Sequence, residues 1–222
     1  MAKIVGRKMG SFHVKILGIS GSPRKGKNTD FLVKKALDAA GKIEGVETEF
    51  VSLADYKIAP CDGCNHCLKE ARCPIEDDMQ FLVQKLLEAD GIIIGSPVYH
   101  LTVSGLLKNF MDRSRYLKMV EFKLRDKVGG AIAVAGLRHG GQEFTISTIH
   151  NYFLGMGMIV VGPVINGFSV TLGGTGSLYQ GIDESGVKWR KVSDDEVAIS
   201  TSEGIGKRVA EIAKKLKISS EK

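Results

Sequence analysis

After a short basic arm, the sequence reads Val14-Lys-Ile-Leu-Gly-Ile-Ser20-Gly-Ser-Pro-Arg24-Lys-Gly-Lys-Asn28-Thr29. The first part of this segment is a short apolar run, and the rest is a polar loop that contains glycine. Residues 30–40 follow with apolar side chains at helical spacing, which predicts a helix directly after the loop. The order strand, polar loop, helix is the opening unit of an α/β protein.

The rest of the chain repeats this alternation. Further strands are predicted at residues 46–53, 91–95, 128–135 and 158–161, with residues 164–172 as a possible extension of the last. Further helices are predicted at residues 77–89, 101–118, 143–155 and 195–217. This pattern predicts an α/β fold with a doubly wound, five-stranded parallel sheet and helices on both faces. Ligands of such sheets bind beyond the carboxyl ends of the strands.

Composition predicts one domain, at residues 13–222, preceded by a basic N-terminal arm at residues 1–12. Two segments interrupt the alternation: a cysteine-rich insert at residues 58–76 and a glycine- and serine-rich segment at residues 173–194, which we predict to be a long loop or a hairpin. No apolar run approaches the roughly 20 residues that cross a membrane, so we expect a cytoplasmic protein without a membrane partner. The net charge is +6, but basic and aromatic residues are not interleaved, which argues against a nucleic-acid partner.

The first loop is suited to phosphate. Its side chains are the hydroxyls of Ser20, Ser22 and Thr29, the amide of Asn28 and the guanidinium of Arg24. A loop that feeds a helix N-terminus also directs backbone N–H groups at an anion. The loop matches neither the nucleotide-triphosphate motif nor the dinucleotide motif. The alternative interpretation is that Asn28 or Thr29 simply caps the helix.

Two more loops follow the predicted third and fourth strands. One offers a rigid turn and an aromatic face, and the other offers the backbone N–H groups of a glycine pair beside cationic and imidazole side chains. The candidate residues are Pro97, Val98, Tyr99 and His100 in the first of these loops, and Gly136, Arg138, His139, Gly140 and Gly141 in the other. With the phosphate loop they fit a flat, phosphate-bearing cofactor, FMN. Alternatively, Tyr99 is a packing residue and the glycine pair is a plain helix start.

All four cysteines of the chain lie in one run, Cys61-Asp-Gly-Cys64-Asn-His-Cys67-Leu-Lys-Glu-Ala-Arg-Cys73-Pro. The spacing C-x2-C-x2-C-x5-C lets four thiolates converge on a 4Fe–4S cluster or a zinc ion. It is closer to the ferredoxin run than to paired zinc motifs, so we favour the cluster. Zinc, free thiols and disulfides are the alternatives. Four thiolates complete a ligand set, so His66 is predicted to be a neighbour of the site.

The sequence also carries a family resemblance in four segments: Gly21-Ser-Pro-Arg24 with Asn28-Thr29, the cysteine run, Ser96-Pro-Val-Tyr99 and Gly140-Gly-Gln-Glu143. On these segments the chain resembles the iron–sulfur flavoprotein family of the NADPH-dependent FMN reductase, flavodoxin-like superfamily. The resemblance implies an FMN-binding flavodoxin-like fold, with Pro23 in the first loop. It further implies a 4Fe–4S cluster on Cys61, Cys64, Cys67 and Cys73. Members form homodimers or homotetramers, in which the flavin of one subunit lies near the cluster of another.

A flavin exchanges electrons in pairs or singly, and a 4Fe–4S cluster exchanges them singly. We therefore expect an FMN-dependent oxidoreductase that passes electrons between a donor, the cluster, FMN and a small acceptor. The donor is ferredoxin or NAD(P)H, and the acceptor is a quinone, oxygen, peroxide or a carrier. No side chain is required as a nucleophile or general acid. The alternatives are an NAD(P)H-dependent FMN or quinone reductase without a cluster, a non-enzymatic electron carrier, and a zinc–thiolate redox sensor.

Overall fold

A computed structural model describes residues 13–165 and 171–220. The predicted arm at residues 1–12 and part of the predicted extension at residues 164–172 lie outside the described residues. The strands are β1 (Val14–Ser20), β2 (Val46–Ser52), β3 (Gly91–Pro97), β4 (Val128–Ala135), β5 (Ile159–Val160), β6 (Gly174–Ser177), β7 (Tyr179–Asp183) and β8 (Gly186–Trp189). The α-helices are α1 (Asn28–Gly41), α2 (Met79–Glu88), α3 (Gly105–Arg113), α4 (Tyr116–Met119), α5 (Gln142–Gly155) and α6 (Glu196–Ser220).

The main sheet is parallel and has the order β2-β1-β3-β4-β5. The chain reverses its direction of travel across the sheet between β1 and β3, which makes this the switch point where flavodoxin-like sheets bind ligands. β6 also pairs with β4 in parallel, beside its residues 132–135, whereas β5 pairs with Val128 and Gly129. Two short strands therefore share the fifth position. The predicted five-stranded parallel sheet is confirmed, and β6 adds a sixth strand to it.

Hydrophobic cores lie on both faces of the sheet because side chains alternate along each strand. In β3, Ile92 and Ile94 join the core that packs against α2, α3 and α5, while Ile93 joins the core that packs against α1 and α6. All three isoleucines are fully buried. A strand covered on both faces has no polar side, which is why β3 reads as a continuous apolar run. The prediction of helices on both faces is therefore confirmed.

The helix predicted at residues 101–118 is interrupted. Leu101 lies in a turn with a left-handed backbone, and α3 begins only after Ser104, whose hydroxyl accepts a hydrogen bond from the Leu107 amide at 3.1 Å. α3 ends at Arg113, and α4 is a separate single turn. Apolar residues do recur at helical spacing from residue 101, but Ser104 caps the helix, so α3 begins four residues later than predicted.

The segment at residues 173–194 contains both sheet and hairpin. β6 lies in it as a strand of the main sheet, although glycine-rich sequence has low strand propensity and gave no signal. β7 and β8 then form an antiparallel pair, which confirms the hairpin alternative. The hairpin grows from the carboxyl end of β6, at the edge of the sheet where the predicted ligand loops lie.

α6 crosses α1 at close range. A Cβ atom on Gly206 would lie 1.8 Å from the carbonyl oxygen of Ala36, so no larger residue fits without displacement of a helix. Glycine weakens a helix interior, and in the sequence alone this position is a weak point of α6. The crossing explains why it is tolerated. None of the helices in the described ranges is long and apolar enough to span a bilayer.

Candidate functional site

One cavity opens at the carboxyl edge of the sheet, between the loops that follow β1, β3, β4 and β6. Its lining includes these predicted cofactor residues: Ser22, Arg24, Asn28, Thr29, Pro97, Val98, Tyr99 and Gly136. Residues far apart in sequence meet here because parallel strands present all their carboxyl ends at one edge. The structure therefore brings the core of the predicted set together.

The cavity is lined by the start of α1. Lys27 is the N-cap residue and makes no side-chain capping bond, while Asn28 and Thr29 lie inside the first turn. Neither of them caps the helix. The loop is shaped internally, because the Arg24 amide donates to the Ser22 hydroxyl at 3.1 Å and the Gly26 amide donates to the Asp30 carboxylate at 2.7 Å. A helix start without a side-chain cap, lined by hydroxyl and cationic groups, fits an anion such as phosphate.

The second loop lines the same cavity with Pro97, Val98 and Tyr99. The Val98 amide donates to the carbonyl of Val134 at 2.8 Å, so the second loop is fixed to β4. Tyr99 pairs with Thr102 through two backbone hydrogen bonds of 2.9 and 3.1 Å, which makes a tight turn. The Tyr99 side chain is 43% exposed. This exposure argues against the interpretation of Tyr99 as a packing residue.

Other predicted cofactor residues lie around this cavity without lining it. They are Ser20, Pro23, His100, Arg138, His139, Gly140 and Gly141. The expectation that both glycine amides are available to a ligand is wrong for Gly140, because its N–H donates to the Gln142 side chain at 2.9 Å. Gly141 has φ +100° and packs on Leu101, where a Cβ atom would come within 2.8 Å. The third loop is thus held against the second.

The predicted site lacks four lining residues, Lys27, Val134, Ala135 and Leu178. Val134 and Ala135 are the last residues of the predicted fourth strand. Lys27 was recognisable as a cation beside Asn28. Leu178 follows β6, and its amide donates to the Ala135 carbonyl at 3.2 Å, so the cavity gains a fourth wall. No sequence signal marked Leu178, because β6 itself was not predicted.

A second cavity contains the cysteines. Cys61, Cys64, Cys67 and Cys73 all line it, together with Arg113 and Tyr116. Cys61 and Cys64 are exposed, and the other two are half-buried. In the part of the chain that the structure describes, no three Cys, His, Asp or Glu side chains are arranged to hold a single metal ion. Thiolates of a 4Fe–4S cluster bind different irons, so their placement around a cavity suits a cluster.

A buried ion pair holds the base of the cysteine insert. The Arg113 guanidinium contacts the Asp77 carboxylate through two bonds of 2.6 and 3.0 Å, and it also donates to the carbonyls of Ala59 and Ile75 at 2.9 and 3.2 Å. The Ala59 amide donates to Asp77 at 2.9 Å. Both ends of the insert are therefore joined to the end of α3.

The same contacts set two pKa values. Burial alone would raise the pKa of Asp77, but hydrogen bonds from Arg113 and from the Ala59 and Met79 amides outweigh it and hold that pKa below its ordinary value. Burial would lower the pKa of Arg113, but Asp77 and Cys73 raise it. Both groups stay charged although the pair is almost fully buried.

Arg113 also tests whether the cysteine cavity suits a sulfur-ligated group. Its side chain is fully buried, and among the described residues its Nε atom has no hydrogen-bond partner. The guanidinium lies against Cys73 at the wall of the cavity. A buried donor without an acceptor costs about 1–3 kcal/mol, and more when it is charged. The cavity therefore joins four thiols and a buried cation beside Cys73, a set of groups that fits an iron–sulfur cluster.

Comparison with known proteins agrees with this geometry. A family model described as NADPH-dependent FMN reductase matches residues 14–170. An iron–sulfur flavoprotein of Methanocaldococcus jannaschii is 50% identical over 204 residues, which cover 92% of this chain and 100% of that protein. An iron–sulfur flavoprotein of Methanosarcina thermophila is 39% identical over 203 residues, which cover 91% of this chain and 93% of that one.

Solved structures support the fold alone. RosB in complex with 8-demethyl-8-formylriboflavin-5'-phosphate superposes with a TM-score of 0.66 at 19% identity, over 93% of this chain and 81% of RosB. A flavodoxin-like, WrbA-like protein from Agrobacterium tumefaciens gives 0.58 at 16% identity, over 91% of this chain and 98% of that one.

The fold and the cavity at its switch point define a flavodoxin-like protein. The chain belongs to the iron–sulfur flavoprotein group of the NADPH-dependent FMN reductase family, as its sequence motifs predict. It is thus an FMN oxidoreductase.

The buried pair yields a stability prediction. Replacement of Asp77 by Asn leaves the Arg113 charge buried without its partner, which we expect to lower the free energy of unfolding by about 3–5 kcal/mol. Urea unfolding at neutral pH measures the loss. Asp126→Asn is the matched control, because the Arg125–Asp126 pair spans 3.4 Å and is 75% and 71% exposed. The control should change stability by less than about 1 kcal/mol.

The lowered pKa of Asp77 also determines how its contribution to stability changes with pH. A carboxyl whose pKa is lower in the folded state stabilises fully above its unfolded value, near 3.8, and loses that contribution as pH falls through the folded value. The stability difference between the wild type and Asp77→Asn should therefore be constant above pH 5 or so and shrink below about pH 4. A difference that grows in acid would contradict the assignment.

Proposed function

We propose that the chain is an iron–sulfur flavoprotein oxidoreductase that passes electrons between a donor, a 4Fe–4S cluster, FMN and a small acceptor. The observation that carries the proposal is the presence of two distinct cavities in one domain. One combines an anion-suited helix start with an aromatic face, and the other is lined by all four cysteines. Bound FMN exchanges electrons in pairs or singly and the cluster exchanges them singly, so the two groups together join pair and single-electron chemistry.

In the proposed assignment, the cofactor phosphate binds at the start of α1, against Ser22, Arg24, Asn28 and Thr29. Pro97, Val98 and Tyr99 hold the ring at the other end, beside Gly136. The remaining predicted residues take supporting positions: Ser20 and Pro23 in the first loop, His100 in the second, and Arg138, His139, Gly140 and Gly141 in the third. The protein contributes binding, orientation and the exclusion of water, and no side chain acts as a nucleophile.

Cys61, Cys64, Cys67 and Cys73 are the proposed cluster ligands. The charged Arg113 donor beside Cys73 would stabilise negative charge on the ligated sulfurs. The cavities for FMN and for the cluster share no lining residue. Because the two cavities are separate within one chain, a homodimer or homotetramer would suit electron transfer. In such an assembly the flavin of one chain would lie near the cluster of another.

Arg24 tests the FMN site. Replacement by Ala removes a charge-assisted contact with phosphate, and we expect FMN affinity to fall by about 1.5–3 kcal/mol, roughly 10- to 100-fold. Fluorescence titration of the apoprotein with FMN measures it. Lys25→Ala is the matched control, because it removes the same charge one residue away, where Lys25 pairs with Asp55 outside the cavity. An equal loss of FMN affinity in the two variants would mean that Arg24 acts only through the overall positive charge of the loop, without a direct contact with phosphate.

Cys67 tests the cluster site. Cys67→Ala, prepared without air, should lose iron and the broad visible absorbance of the cluster while it keeps the yellow flavin. His66→Ala is the control, since its neighbouring side chain is not a proposed ligand, and it should keep its iron. Unchanged iron in the Cys67 variant would refute the ligand assignment. Zinc in place of iron in the wild type would favour the redox-sensor alternative.

A third cavity favours a protein donor at the cluster. It adjoins Cys61 and is lined by Lys108, Arg115 and Lys118, with methionines and Tyr152 forming its apolar wall. Lys108 is paired with Asp112 at 2.6 Å, and the other two cations lie beside the cysteine insert or α5. A basic surface with an apolar base suits an acidic electron carrier of the ferredoxin kind. NAD(P)H remains the alternative donor and would act on the flavin directly.

The salt dependence of the reduction rate and a charge-reversal variant distinguish a ferredoxin donor from NAD(P)H. With an acidic ferredoxin as the donor, Lys118→Glu should slow cluster reduction roughly tenfold at low salt, and the difference should shrink as salt screens the charges. Stopped-flow absorbance measures the rate. Lys207→Glu on α6 is the control, because Lys207 is exposed and lies outside the basic cavity. No effect of Lys118→Glu, together with rapid reduction by NAD(P)H, would support the alternative.

A further inference from the structure

The cofactor cavity has a phosphate wall, residues 22–29 after β1, and a ring wall, residues 97–99 after β3, and one buried serine joins the two. Ser104 is the N-cap residue of α3 and is not among the residues that line the cavity. Its hydroxyl donates to the carbonyl oxygen of Gly21, in the loop after β1. Its amide donates to the Ser96 hydroxyl at 3.1 Å, near the end of β3. The start of α3 is therefore bonded to both loops.

Each arm of this link continues directly into a lining residue. Gly21 immediately precedes Ser22 in the chain. The Ser96 hydroxyl donates in turn to the carbonyl of Pro97 at 2.8 Å. Ser22 and Pro97 both line the cavity. Because both partners of Ser104 adjoin lining residues, a change at Ser104 acts on both walls.

Close packing at the same place limits the movement of the first loop. A Cβ atom on Gly21 would lie 2.6 Å from the Cβ atom of Leu107, which is in the first turn of α3. The Gly21 amide also donates to the carbonyl of Gly95 at 2.8 Å. The loop is thus fixed between α3 and β3. A hydrogen bond in such a buried setting is electrostatically stronger than the same bond in water.

The Ser104 hydroxyl has two roles that can be separated. As a helix cap, its oxygen accepts a hydrogen bond from the Leu107 amide at 3.1 Å. As a link, it donates its proton to the Gly21 carbonyl. A hydroxyl group can accept and donate at the same time. Glycine retains most of the stability of a serine cap and alanine does not, but neither residue supplies a proton for the link.

We infer that Ser104 is a positioning residue that holds the phosphate wall and the ring wall at a fixed separation, and so gives the site its preference for FMN over riboflavin. FMN engages both walls, whereas riboflavin lacks the phosphate and engages the ring wall alone. A rigid link spares FMN the cost of ordering one wall relative to the other, which is how preorganisation increases affinity. This inference rests on the proposed function.

The test compares the binding of FMN and riboflavin to the full-length protein. Bound flavin is removed, and the dissociation constants of both flavins are measured by fluorescence titration without air. The ratio of the two constants is the readout, because a loss of ring contacts or of general stability weakens both flavins alike. Circular dichroism and urea unfolding establish first that each variant is folded.

We expect Ser104→Ala and Ser104→Gly each to lower the preference for FMN over riboflavin about tenfold, the size of a lost buried hydrogen bond. Riboflavin affinity should stay within about twofold of the wild type in both variants, because riboflavin does not bridge the walls. Glycine keeps the cap and alanine does not, so a similar loss in the two variants assigns the effect to the bond with Gly21.

Ser114→Ala is the matched control. Ser114 is also buried, lies at the other end of α3, and donates its hydroxyl proton to the Met111 carbonyl at 2.8 Å. It is not among the residues that line the cofactor cavity. Its replacement removes a comparable buried hydrogen bond from the same helix, and the preference for FMN should be unchanged.

Ser96→Ala cuts the other arm of the link and supplies a second test, which also serves if Ser104→Ala does not fold. It should lower the preference for FMN in the same direction. The double variant Ser96→Ala/Ser104→Ala should lose less than the product of the two single losses, because both changes break one link. A double loss equal to that product would contradict a single link.

Two further results would overturn the inference. One is an unchanged ratio of dissociation constants in both Ser104 variants. The other is a lowered ratio in Ser104→Ala alone, which would make Ser104 only a helix cap. Failure of the proposed function looks different, because the wild-type protein would then bind neither flavin or bind FMN no better than riboflavin.

Discussion

β1 pairs in parallel with β2 on one side and with β3 on the other, and this placement organises everything that bears on function. Because the pairing is parallel, the loop after each strand emerges at the same edge of the sheet. The phosphate loop follows β1, the cysteine insert follows β2, and the aromatic turn follows β3. The proposed phosphate, cluster and flavin-ring sites thus lie at one edge of the sheet although their residues are scattered along the sequence.

Two different kinds of bonding then fix these loops. The cofactor loops are held mainly by backbone hydrogen bonds to neighbouring strands, as with Val98 on Val134 and Leu178 on Ala135. Within residues 13–165 and 171–220 no strand pairs with the cysteine insert, which is joined to α3 by the buried Arg113–Asp77 pair. Buried pairs add little net stability compared with an apolar replacement, but they are geometrically specific. This geometric specificity suits a loop whose four cysteines line one cavity.

The sequence predicts the apolar strands and the shared cavity of the cysteines correctly because the apolar or thiol character of these residues is enough to identify them. Apolar runs revealed β1, β3 and β4, and the cysteine spacing revealed which sulfurs share a cavity. It failed where tertiary contacts decide. β6 is a strand because β4 offers it an edge, so its glycines misled the prediction and Leu178 was missed as a result. Gly140 was expected to offer its amide to a ligand, but Gln142, an ordinary helix-start residue in sequence, accepts that hydrogen bond. Arg113 carried no signal at all, because only the fold buries it beside Cys73.

The base of the cysteine insert has a consequence for how the protein responds to loss of the proposed cluster. The bonds that close it, from Arg113 and Asp77 to Ala59 and Ile75, are all made between protein groups. On the proposed ligand assignment, these contacts would hold the two ends of the insert together independently of the cluster, and the sulfur ligands would all lie in the segment between them. Loss of the cluster would then leave the base of the insert closed.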